Sequence, residues 1–210
     1  MKLRSLLLLL FFTVSIASQA IEPVAQLFVS MPDSLLPSIE VNRRKDMIDL
    51  IHAGQKAQTA TKLGGNAEMT LLQDSILSID LSSQSKMAMR LYQTHRNDTL
   101  IALINTVYAP AGDSRVRVFN SAWDELPASK YIRPIAKEEF FIFPDSLSKE
   151  KRKELIRPID IYLSTYTFET DGSLKVQQSW SDYLDKESYQ QIRPYLKETI
   201  ELHWNGKKFE

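Results

Sequence analysis

Residues 99–123 read TLIALINTVYAPAGDSRVRVFNSAW, and how this stretch is read decides the fold. Residues 100–104 are an unbroken apolar run, the pattern of a strand covered on both faces. Arg115, Val116, Arg117 and Val118 alternate as a strand with one wet face does. Pro110, Gly112 and Asp113 supply a turn between them. The pattern returns at residues 159–180, IDIYLSTYTFETDGSLKVQQSW. Ile101 then lies over Ile159, Leu103 over Ile161, Tyr108 over Tyr166, Asp113 over Asp171 and Val118 over Val176, with the closing Trp123 and Trp180 one residue out of phase. Two copies of a hairpin speak to architecture and say little about chemistry.

Upstream of the first hairpin the apolar period is two. Leu77, Ile79 and Leu81 form one line and Met87, Met89 and Leu91 another, set against Lys86, Arg90 and Gln93. Four consecutive antiparallel strands over residues 75–120 follow. Further back, NRRKDMIDLIHAG at residues 42–54 predicts a short amphipathic helix, with Met47, Ile48 and Ile51 as its apolar stripe and Gly54 as its stop. Asp33 or Ser34 offers a helix cap within MPDSLL, and residues 21–30 read as a strand or packed arm. The polar segment 56–69 reads as an exposed connection long enough to carry function.

A second echo lies between the hairpins. Pro144, Asp145, Ser146 and Leu147 repeat Pro32, Asp33, Ser34 and Leu35, and RKELI at 152–156 repeats RKDMI at 44–48. Helix followed by hairpin therefore occurs twice. At the C-terminal side, residues 184–195 predict a helix capped by Asp185, and Ile200, Leu202 and Trp204 alternate before Asn205-Gly206, a hairpin turn signal. The predicted fold is α+β: two tandem helix-plus-antiparallel-strand units, residues 21–126 and 127–210, sharing one curved antiparallel sheet with helices on one face.

At the N-terminus Lys2 and Arg4 precede an apolar segment, residues 6–17, and then small residues up to Ala20. This pattern predicts a secretory signal peptide over residues 1–20 and export to the periplasm, cell surface or medium. The run is too short for a membrane span, which takes about 20 residues, so no transmembrane segment is expected. The chain has no cysteine, which excludes disulfides, a lipid-modified cysteine and thiolate chemistry. Removing Lys2 and Arg4 from the 26 basic residues leaves 24 against 26 acidic ones. With no basic face implied, nucleic acid is not an expected partner.

The motifs MPDSLLP, RKDMIDL, LGGNAEMTLL, TVYAPAGDSRVRVFNSAW and WNGKKF together resemble a family of exported proteins from anaerobic gut and oral bacteria, classed as a domain of unknown function. The resemblance spans nearly the whole mature chain and implies no substrate, cofactor or catalytic residue. The order of helices and strands is also similar, in architecture only, to the β-lactamase inhibitor proteins.

Catalytic constellations are sparse. His52, His95 and His203 stand far apart without metal-ligand spacing, so no metal or cofactor is expected. No G-x-S-x-G or phosphate-binding glycine loop is present. The acidic pairs Asp124 and Glu125, Glu138 and Glu139, and Asp182 and Asp185 read as solvated loops. Aromatic rings are the candidate ligand contacts, namely Tyr108, Trp123, Tyr166 and Trp180, with burial against the helices as the competing role for the tryptophans. The expectation is a non-catalytic module binding a protein or glycan on an open sheet face. The rival is an envelope hydrolase assembled from Asp124, Asp182 and His203, and the third possibility is a structural or assembly subunit of the envelope.

Overall fold

A computed structural model describes residues 22–210; the expected signal peptide lies outside the described residues. Two helices come first, α1 (Pro23–Ser30) and α2 (Val41–His52). Proline at its first turn starts α1, where a missing N–H costs nothing. Val24, Ala25 and Phe28 of α1 and Arg44, Met47 and Ile48 of α2 face inward at helical spacing.

Seven strands follow: β1 (Gln58–Ala60), β2 (Asn66–Gln73), β3 (Ile76–Ser82), β4 (Ser85–Gln93), β5 (Thr99–Tyr108), β6 (Gly112–Asn120) and β7 (Glu125–Leu126). They pair in sequence order as an antiparallel meander. The rest of the chain holds α3 (Lys149–Ile156), β8 (Ser164–Phe168), β9 (Leu174–Gln178), α4 (Lys186–Ile192) and β10 (Thr199–Leu202). Ser148 caps α3 by accepting from the Lys151 N–H at 3.2 Å, and Asp185 caps α4 by accepting from Ser188 at 3.0 Å.

The fold is α+β, but the strands form two sheets. The second hairpin, β8–β9, pairs with β10 in a separate three-stranded sheet of order β10-β9-β8 and does not extend the first. It forms a cover. On β5, Ile101 and Leu103 point into a core closed by α1 and α2, while Leu100, Ala102 and Ile104 point into a second core with Val176, Trp180, Ile192 and Leu202. An apolar run buried on both sides needs a layer on each.

Smaller departures have local causes. Residues 56–69 contain β1 and the start of β2, and so form a hairpin tip rather than a plain connection. Residues 21–30 hold α1, and α2 begins at Val41, before Asn42. At Asn205-Gly206 only the glycine takes a positive φ, +85°. The Asn205 side chain closes that turn instead, accepting from the Lys207 and Lys208 N–H groups at 2.9 Å.

The repeated PDSL…R motif is an arginine clamp. Segment 31–39 is turns rather than helix, and the wholly buried Arg44 guanidinium binds its carbonyls: Met31, Ile39 at 3.1 Å and Leu36 at 3.4 Å, with Asp33 at 2.7 Å. It lies 6.0 Å from the Phe28 ring centre. Arg152 repeats this, donating to Leu147 O at 3.0 Å and Pro144 O at 2.9 Å, with its guanidinium 5.7 Å from the Phe143 ring centre.

Replacing Arg44 by Ala leaves buried carbonyls unpaired and is expected to cost roughly 2–4 kcal/mol. Arg44→Lys should not rescue it, because an ammonium cannot reproduce the guanidinium fork. The more exposed Arg152→Ala should cost about 1 kcal/mol. Urea unfolding checks all three; equal losses at the two positions would contradict the burial argument. The sheets also meet closely at Gly112, where a Cβ would lie 2.6 Å from Thr165 Cγ2 and 2.9 Å from Tyr108 Cε1. Gly112→Ala should therefore destabilise by about 1–3 kcal/mol, read as a lower urea midpoint at unchanged slope.

Candidate functional site

The small sheet covers only part of the second face of the large one. Between β8 and the uncovered portion of β2–β5 runs a groove with an inner volume of about 230 Å³. Cross-strand register defines its floor. Asp80, Lys86, Thr106 and Ser114 form one row across β3 to β6, and Ser78, Ala88, Ile104 and Val116 form the next. A bulge between Met69 and Leu71 turns both Thr70 and Leu71 toward the groove. Thr165, Tyr166, Thr167 and Phe168 of β8 make the wall. The groove widens into a depression of about 650 Å³ around Gln73, Asp74, Arg90 and Glu169.

Its chemistry is mixed. Hydroxyls of Thr70, Ser78, Thr106, Thr165 and Thr167 line it beside Leu71 and Ile76. The Lys86 ammonium pairs with Asp80 at 3.3 Å. At the wide end Arg90 donates to the Glu169 carbonyl and, at 3.3 Å, to the Thr170 carbonyl, while the Tyr92 hydroxyl donates to Gly172 O at 3.0 Å. These bonds pin the β8–β9 turn to β4. At the other end β8 is held by its Tyr166 N–H, which donates to Ser114 Oγ at 3.0 Å, and Ser114 in turn bonds Thr106 at 2.7 Å.

Two of the four expected aromatics meet here. Tyr108 lines the groove and is 37% exposed, its N–H donating to Gln84 O at 2.9 Å. Tyr166 also lines it. Burial and then the neighbouring Tyr162 push its hydroxyl pKa up to about 12, so it is a hydrogen-bond donor at any physiological pH. The tryptophans are elsewhere. Trp123 takes φ +67°, packs its ring 5.4 Å from Phe119 on the helix side and directs Nε1 to Ser30 Oγ at 3.4 Å. Trp180 is fully buried in the second core between Phe140 and Phe141, out of reach of any ligand.

The acids and histidine of the hydrolase reading occupy separate places. Asp124 accepts from Asn120 at 2.9 Å at the β6–β7 turn, Asp182 sits in the helical turn after Trp180, and His203 lies near Asp171. Among the described residues no group of three or more His, Cys, Asp or Glu side chains is placed to hold a metal ion, and no helix is long and apolar enough to cross a membrane. Sequence reasoning missed Thr70, Ser78, Thr165 and Thr167. Their signal was only a polar residue on the wet face of a strand.

No functionally curated protein matches the chain. A solved structure, that of a domain of an uncharacterized protein from Porphyromonas gingivalis W83, superposes with a TM-score of 0.77 at 20% identity, covering 90% of this chain and 99% of that one. At this identity the likeness speaks to the fold alone. A family described as protein of unknown function (DUF3256) matches residues 13–209, and the chain belongs to that family.

Proposed function

We propose that the protein is an exported, non-catalytic binding module that takes its ligand in the groove between β8 and the uncovered face of β2–β5. The observation that carries this reading is the incomplete cover: an accessible sheet face, floored and walled, with the partly exposed Tyr108 ring at its end. Export rests on the N-terminal sequence pattern. Of the two ligand classes expected from sequence, a glycan suits the groove better than a charged peptide. Its polar groups are mainly hydroxyls, and the ammonium of Lys86 is already matched by Asp80. An uncharged ligand bearing hydroxyls exchanges hydrogen bonds there without stranding a charge, and an aromatic face adds apolar contact.

The test is titration of the purified protein with neutral oligosaccharides, followed by heteronuclear NMR. Shifts should cluster at Thr70, Ser78, Thr106 and Tyr108, and Tyr108→Ala should weaken binding about tenfold or more with little change in melting temperature. Binding only of peptides would transfer the groove to a protein ligand. Turnover of any ligand would end the non-catalytic reading.

A further inference from the structure

The wall of the groove is a strand edge. β8 pairs with β9 on one side only. Two bonds fix the phase of that pairing, Ser179 N–H to Leu163 O at 3.1 Å and Glu169 N–H to Ser173 O at 2.9 Å. Leu163, Thr165, Thr167 and Glu169 therefore spend their backbone groups on β9, and those of Ser164, Tyr166 and Phe168 point the other way, toward the large sheet and the groove.

Most of this edge is sealed by side chains. Ser164 N–H donates to Asp113 Oδ1 at 3.5 Å and Tyr166 N–H to Ser114 Oγ at 3.0 Å. Past the end of the strand, Arg90 takes the Glu169 and Thr170 carbonyls. Among the described residues one outward donor of β8 is left without a partner, the N–H of Phe168, a residue that lines the groove. That donor is held in place, since Arg90 pins the next residue and the Phe168 ring centre lies 6.1 Å from that of Tyr92.

Across the groove the floor offers an acceptor. Thr70 Oγ1 spends its proton on Ser78 O at 3.3 Å, which leaves the lone pairs of the hydroxyl to receive a bond. Beside these two polar points the surface is apolar: Leu71 and Ile76 line both the groove and its wide end, each time with Phe168.

We propose that the groove takes a glycan built of N-acetylated amino sugars, with one acetamido group lying across it. This rests on the reading of the groove as a glycan site and names the sugar. The acetamido carbonyl accepts from Phe168 N–H, its N–H donates to Thr70 Oγ1, and its methyl group covers Leu71 and Ile76. A trans amide points its donor and acceptor in opposite directions, which suits a site whose own acceptor and donor stand on facing sides. A sugar bearing hydroxyls alone leaves the apolar surface wet. A peptide strand added to this edge needs a donor at every second residue, and the N–H groups of Ser164 and Tyr166 are already spent.

Calorimetric titration with triacetylchitotriose and with cellotriose compares two β-linked trisaccharides of the same backbone, one carrying acetamido groups where the other carries hydroxyls. The acetylated sugar should bind at least about tenfold more tightly. In heteronuclear NMR spectra the Phe168 amide proton should move downfield with triacetylchitotriose and stay in place with cellotriose. Thr70→Val, at an exposed position, should narrow the gap between the two sugars with little change in melting temperature. Equal affinities, or a preference for the acetylated sugar that leaves the Phe168 amide unmoved, would overturn the inference and leave a glycan site standing. Binding of neither sugar would overturn the glycan reading and this inference together.

Discussion

Strand β5 cannot stand with either face in water. Its residues alternate between two cores, Ile101 and Leu103 toward the helices and Leu100, Ala102 and Ile104 toward the small sheet. Burying each large aliphatic side chain is worth roughly 1.5–3 kcal/mol, so leaving one face bare would forfeit an amount comparable to the whole stability of many domains. The chain therefore needs a cover on both sides. The N-terminal helices provide one, and the segment after β7 provides the other. Arg44 makes the first cover possible: the connection between α1 and α2 is a series of turns, partly buried, and the carbonyls of Met31, Leu36 and Ile39, which no strand or helix uses, are collected by one guanidinium.

The need for two covers was legible in residues 100–104, since a strand apolar on both faces is incompatible with a sheet that has helices on one side and water on the other. Which segment supplied the second cover was not legible. Sequence similarity between the hairpins suggested strands side by side. The second hairpin is shorter: Ile159 and Ile161, aligned with β5 residues, precede β8, and Ile159 is spent in the core. Placement of a short hairpin on a distant sheet is a long-range packing outcome, and local alternation carries no trace of it. The duplicated PDSL and arginine were visible, but not their use, because backbone carbonyl acceptors leave no residue signature.

The same cause explains the aromatics. Trp123 and Trp180 close equivalent hairpins, but those hairpins belong to different sheets, so one ring joins the helix-side core and the other the opposite core. Tyr108 and Tyr166 converge for the converse reason. Gly112 has no side chain, which lets β8 cross the β5–β6 hairpin end at close range and brings the equivalent tyrosines to one groove. The hydroxyls beside them come from β2, β3, β5 and β8, where a polar residue on a strand signals solvent and a binding surface alike.

Seven strands are covered by three, and the shortfall falls at the β1–β2 end, leaving a face and an edge unfinished in different ways. The face is tolerable alone, since its hydroxyls take water and its Lys86 is paired. The edge is limited mainly by being three residues long, with no proline or charge inside the strand to discourage pairing. Thr59, opposite Ala67, belongs to the helix side of the sheet, and the groove to the opposite side.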